Sequence, residues 1–182
     1  MIAANAPQPC SRLVACGLNP RSAEACQARL YESPSASTAR VLVGDCNNAV
    51  GEIINAVPMG ALTLAFVDPP GLDIEFETIV RIGQSRRVDF LILFADAIDL
   101  IRNLGQYLDD PQTKLDRMLG PNSSWRDELG RLENHSGERL RPVFSQIFQR
   151  QIAKHLGYRG FREEVMKGPR GDLYRLIYAT RH

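Results

Sequence analysis

Leu62-Thr63-Leu64-Ala65-Phe66-Val67-Asp68-Pro69-Pro70-Gly71-Leu72 is the stretch that decides the fold. Six residues of strand chemistry run into an acid, two prolines and a glycine. A short apolar run bounded by turn residues suits a strand buried on both faces. Each proline fixes its φ and gives up an N–H, and the residue before a proline is held extended. The chain therefore leaves this strand stiffly, with backbone carbonyls directed beyond its carboxyl end.

The same pattern recurs outward from this point. Leu13–Cys16, Val41–Val43 and Val88–Phe94 are further apolar runs, spaced to leave room for helices. Asn19-Pro20 starts a helix to about Leu30, with Asn as cap and Pro at the first position. Tyr31 to Arg40, rich in Ser, Pro and Ala, reads as a loop. Asn47 to Ala56 and Glu75 to Gly83 repeat apolar residues at helical spacing. This β-α-β-α-β-α-β alternation argues for a parallel α/β sheet with right-handed crossovers. The second half predicts helices over Ile98–Leu108, Lys114–Leu119, Ser124–Glu133 and Pro142–Leu156, a helical insertion at about 97–156. A hairpin follows, Arg159–Met166 and Leu173–Thr180, turning at 167–171.

The chain has 182 residues, 44% hydrophobic and 24% charged, which suits one soluble α/β domain over 1–182 and excludes a disordered or collagen-like chain. No run of about 18 apolar residues predicts a membrane span. Met1 to Pro9 have neither a basic nor an apolar leader segment, so the cytoplasm is the expected location. The net charge of +1 is uneven: 12 basic and 18 acidic residues lie up to Glu138, 10 basic and 3 acidic from Arg139 onward. The basic C-terminal region suits a nucleic acid or a solvated face, the second being the commoner case. Cys10, Cys16, Cys26 and Cys46 include no C-x-x-C pair, and His135, His155 and His182 lie far downstream, so no metal site is expected.

In open parallel sheets ligands bind beyond the carboxyl ends of the strands. Four predicted strands deliver Asn19, Asp45, Asp68 and Asp96 to such ends. Each alone reads as a cap or turn; together they suggest a shared rim. Asp68, with the carbonyls of Pro69 and Pro70, can accept hydrogen bonds from an amino group and so polarise a nitrogen nucleophile. Trp125 suits packing more than stacking on a substrate, Phe76 reads as core, Tyr174 and Tyr178 as cross-hairpin contacts, and His135 as a solvated turn residue. No Gly-x-Ser-x-Gly, P-loop or His-Glu-x-x-His motif occurs.

Val41-Leu42-Val43-Gly44-Asp45-Cys46-Asn47, Leu64 to Leu72, Val88 to Ile92 and Leu173 to His182 together resemble the three-Cys-motif partner (TcmP) family. That family is similar to class I S-adenosylmethionine (SAM)-dependent methyltransferases, and the likeness runs from about Leu13 to His182. The resemblance implies a Rossmann-like, mainly parallel sheet with a C-terminal antiparallel hairpin. It implies SAM as cofactor, held by Asp45 and Cys46 at the adenine and by Asn19 near the ribose, and a target nitrogen at Asp68-Pro69-Pro70. Three features depart from it. The first strand and its glycine-rich loop are absent from Met1 to Pro7, which leaves a gap mid-sheet or forces a new pairing and reads as an N-terminally shortened copy. Gly17 stands where an acidic residue ends the second strand. Gly71 stands where base methyltransferases carry an aromatic residue, which disfavours a flipped base as substrate. The expected function is methyl transfer to an amino nitrogen, or loss of activity for want of the glycine loop. The alternative is a non-catalytic partner protein that binds a neighbouring-gene product or nucleic acid.

Overall fold

Asn19 begins the first helix as its chemistry requires. Its Oδ1 accepts the Ser22 N–H at 3.2 Å, and Pro20 opens α1 (Pro20–Tyr31) where no donor is needed. The structure is a computed structural model that describes residues 3–5, 10–132, 136–169 and 171–181. The chain divides into two compact units, Met1–Ala61 and Leu62–His182.

In the first unit, β1 (Leu13–Gly17) pairs in parallel with β2 (Ala39–Val43), Leu13 opposite Ala39 and Gly17 opposite Val43. α1 is the crossover. α2 (Cys46–Ala56) follows β2, capped by Asp45, whose Oδ1 accepts the Asn47 N–H at 2.9 Å. Ala23, Leu30, Leu42 and Val50 form its small core. The segment read as a loop after Tyr31 folds into a 3-10 turn at Ala36–Thr38, and its serines serve the backbone: Ser33 Oγ donates to Leu30 O at 2.7 Å and Ser35 Oγ to Ala4 O at 3.3 Å.

The second unit holds β3 (Leu62–Val67), α3 (Phe76–Ser85) and β4 (Arg87–Phe94), then a π turn at Asp96–Leu100. Helices α4 (Ile101–Asp109), α5 (Lys114–Leu119), α6 (Trp125–Gly130) and α7 (Gly137–Leu156) precede the hairpin β5 (Gly160–Gly168) and β6 (Gly171–Thr180). The sheet order is β3-β4-β6-β5, with β3–β4 parallel and the other two pairs antiparallel. Val88, Phe90, Ile92 and Phe94 alternate inward from β4 and join Ile79, Phe144, Phe148 and Ile152 in the core. Phe94 and Phe148 stack at 5.4 Å. Each such side chain contributes about 1.5–3 kcal/mol by burial.

Two sequence expectations need correction. β3 is not buried on both faces: Leu62, Leu64 and Phe66 are 77%, 63% and 58% exposed. It is an edge strand, hydrogen-bonded only to β4 among the described residues, so a continuous apolar run did not mean two covered faces. α7 starts at Gly137, with Pro142 inside it rather than opening it. Gly137 is a weak starter, and Pro142 is the more conspicuous signal. The two edges of this sheet also differ in kind. β5 carries Arg162, Glu163, Glu164 and Lys167 and a register shift at Met166/Lys167, whereas β3 has no charge and pairs in unbroken register. Among the described residues no helix is long and apolar enough to cross a membrane.

Candidate functional site

Each unit brings two strand ends together. In the first, the Gly44 N–H donates to Gly17 O at 3.0 Å, and the Cys16 thiol reaches Gly44 O at 3.5 Å, tying the carboxyl ends of β1 and β2. Asn19 and Asp45 stand exposed just beyond. Each uses one oxygen lone pair as a helix cap, so the bland reading holds for both, yet acceptor capacity remains. A Cβ on Gly17 or Gly44 would meet nothing within 4 Å, and Gly44 has φ 147°, which a side chain resists. Cys46 is the first residue of α2. Burial, and then the Asp45 carboxylate, push its thiol up, so it stays neutral. Exposed carboxylate and amide oxygens over open space suit the hydroxyl and amino donors of a nucleoside.

In the second unit, Asp68 and Pro70 are exposed, Pro69 is half-buried, and Gly71 and Leu72 are buried. The loop they form is fastened by Asp99, which lies on the π turn where the Asp99 and Leu100 N–H groups both donate to Ala95 O (3.2 and 3.1 Å). Asp99 Oδ2 accepts the Leu72 N–H at 3.0 Å and Lys114 Nζ at 2.6 Å. Its Oδ1 accepts Asn103 Nδ2 at 2.8 Å and the Tyr107 hydroxyl. Burial by itself would raise this carboxyl; the hydrogen bonds from Lys114, Tyr107, Asn103 and the Leu72 N–H outweigh it and hold it below the usual range. Sequence reasoning missed Asp99. The legible signal was the spacing of Asp99, Asn103 and Tyr107, four residues apart on one helical face.

Asp96, expected at the rim, turns inward instead. It is fully buried, and its Oδ2 accepts Arg175 Nε at 3.1 Å, while Oδ1 has no partner. Arg175 also donates to Glu163 at 2.8 Å. A strand-end acid reads alike whether it faces solvent or a buried arginine 79 positions away.

Other candidates settle into structural roles. Trp125 is 2% exposed and its Nε1 donates to Asp116 at 2.7 Å. It borders a 560 Å³ cavity shared with Phe76, Thr113 and Asp116. Phe76 is core, edge-on to Phe148. Tyr178 donates to Asp89 at 2.9 Å across β4–β6. Arg141, Arg150 and Arg175 of the basic region pair with Asp172, Glu128 and Asp96. His135, His182, Met1, Ile2 and Ala6–Pro9 lie outside the described residues. Among the described residues no three His, Cys, Asp or Glu side chains are grouped to hold a metal ion.

No family model and no curated protein matches the sequence. Solved structures do match in fold, two of them with a TM-score above 0.5 as follows. Cofactor-bound Rv0187 from MTB aligns over 97% of this chain and 63% of its own, at 16% identity and TM-score 0.53. The O-methyltransferase TomG from Streptomyces achromogenes, involved in tomaymycin synthesis and solved in complex with SAM, aligns over 94% and 62%, also at 16% and 0.53. The chain thus spans about three fifths of the length of either. The fold is an α/β methyltransferase-like fold with the terminal antiparallel hairpin expected of it, but the mainly parallel sheet expected is, among the described residues, a parallel pair and a four-stranded mixed sheet.

Proposed function

We propose that this chain acts in the cytoplasm as a SAM-dependent methyltransferase-like protein of the three-Cys-motif partner kind, transferring methyl to an amino nitrogen. The observation that carries the reading is the Asp68-Pro69-Pro70 loop. Its acid is exposed at the end of β3, while the residues behind it are buried and fastened. Asn19, Asp45 and Cys46 would hold the nucleoside part of the cofactor. When bound, SAM supplies a sulfonium-activated methyl group, so the acceptor nitrogen needs only a free lone pair. Asp68 and the carbonyls of Pro69 and Pro70 accept the N–H bonds of the amine and fix its lone pair outward. The methylated ammonium stays hydrogen-bonded to the Asp68 carboxylate and passes its proton to solvent. A row of acceptors suits an amine, which brings two or more N–H donors, better than a hydroxyl, which brings one.

The test is calorimetric titration of SAM into the chain, followed by a methyl-transfer screen over amines with Asp68→Ala as control. Micromolar SAM binding, about −8 kcal/mol, with transfer abolished in Asp68→Ala is the expected result. Transfer that persists in Asp68→Ala overturns the assignment of roles, and a folded chain that takes up no SAM overturns the activity.

A second reading has its own observation. The uncharged, exposed β3 suits a non-catalytic partner protein that binds a neighbouring-gene product. A nucleic-acid version would use the basic C-terminal region, where Arg139, Lys154, Arg159, Arg162 and Lys167 remain beside the ion-paired arginines. Steep loss of nucleic-acid binding with salt supports that version; no binding removes it.

A further inference from the structure

We infer that Asp99 is the positioning residue of the Asp68-Pro69-Pro70 loop, and that residue 71 is glycine because the Asp99 carboxylate fills the space a side chain would take. The inference rests on the proposed role of that loop for its functional meaning, but its geometry stands separately.

The prolines stiffen the loop but cannot anchor it, since neither has an N–H to donate. The first backbone donor after them that the structure ties to a distant element is Leu72, and it goes to Asp99 Oδ2. A Cβ on Gly71 would fall inside 3.0 Å of that same oxygen, closer than real contacts come, and 3.3 Å from Asp73 Oδ2. The close approach that makes the hydrogen bond therefore leaves no room for a side chain at 71 unless the Asp99 carboxylate shifts. An ionised carboxylate offers about four acceptor sites. Here Leu72, Lys114, Asn103 and Tyr107 take two on each oxygen. A carboxylate so committed has no part in binding substrate. It acts through the loop, fixing where the carbonyls of Pro69 and Pro70 and the Asp68 carboxylate stand. Asp99 lies on the π turn, and such turns recur at functional sites.

The donors also join the loop to the helices of the insertion. Lys114 opens α5, and Asn103 and Tyr107 lie on α4. Lys114 Nζ lies 3.7 Å from Asp73 as well, and Arg117 Nε lies 3.7 Å from Glu75, so α5 grips the chain on from Leu72 to the start of α3.

The experiment uses the full chain and reads two quantities. The first is hydrogen exchange of the Leu72 amide by NMR, referenced to core amides of β4. The second, once transfer is detected, is kcat against SAM affinity. In Asp99→Ala the Leu72 amide should exchange at least about tenfold faster while the β4 amides hold. kcat should fall about tenfold or more with SAM affinity unchanged. Gly71→Ala should speed Leu72 exchange in the wild-type background and add nothing in Asp99→Ala. If Asp99→Ala does not fold, Asp99→Asn and Lys114→Gln, which keep the packing, serve for the same comparison. Unchanged Leu72 exchange in these variants, or equal effects of Gly71→Ala in both backgrounds, overturns the inference. A wild-type chain that transfers no methyl but shows the exchange pattern keeps Asp99 as the anchor of the loop and removes only the proposed reaction. A kcat that survives loss of the Leu72 protection removes the positioning role.

Discussion

Asp96 and Asp99 sit three residues apart on one π turn, both buried, and they are opposite cases. Asp99 has each oxygen filled by two donors; Asp96 has one oxygen on Arg175 and the other on nothing. Burial is the largest influence on both. It is outweighed at Asp99, whose carboxyl is held low, and it prevails at Asp96, whose carboxyl is pushed up despite Arg175. Depth alone therefore does not set the charge of a buried acid; the count of donors that reach it does.

The comparison breaks most readily at Asp99. Asp99→Ala leaves buried donors unpaired and should cost about 3 kcal/mol or more in urea denaturation. Gly71→Ala should cost about 2 kcal/mol by overpacking against the carboxylate, and a melt showing no loss would refute that crowding. Tyr107→Phe removes one of four donors and should cost about 1 kcal/mol. The Tyr107 hydroxyl is pushed up by burial and by Asp99. Its share of stability should hold below the ordinary tyrosine value of about 10 and fade as pH rises beyond it, a fade that Tyr107→Phe removes.

The smallest effect is expected at Asp96. Asp96→Asn should shift stability at neutral pH by less than about 1 kcal/mol, because Glu163 still holds Arg175. The signature lies in the pH dependence of denaturation. Above about pH 4 the unfolded chain has released the Asp96 proton while the native chain keeps it, so this group makes stability fall as pH rises to its raised native value. Asp99 does the reverse: its share is present above about pH 4 and is lost as pH falls through its lowered native value. Asp96→Asn should remove the first slope and Asp99→Asn the second.

What the sequence made legible was local. Asn19-Pro20 showed where α1 begins, because a cap needs only its own next two or three residues, and α2, read from Asn47, begins one residue earlier at Cys46, behind its cap Asp45. The alternation of apolar runs showed the strands within two or three residues, and the hairpin followed from Lys167–Gly171. The candidate residues Asn19, Asp45, Asp68, Pro69 and Pro70 do stand at strand ends. What stayed hidden depends on distant partners. Nothing near Asp96 announces Arg175, nothing in Leu62–Val67 says that one face lacks a cover, and nothing next to Gly71 shows the Asp99 carboxylate waiting there.

The bare edge of β3 has a consequence for how the chain behaves at high concentration. Leu62–Val67 is six residues of high β-propensity without charge or proline, the composition of segments that zip into fibrils. On β5 the charges and the register shift discourage growth; on β3 a brake stands at its end, Asp68-Pro69-Pro70. The same three residues proposed to receive an amine thus also act as gatekeepers against self-assembly. Replacing Pro69 or Pro70 to probe chemistry would release the strand to template others. Activity lost in such variants has to be read beside light scattering, since a chain drawn into aggregates is silent for reasons unconnected with its reaction.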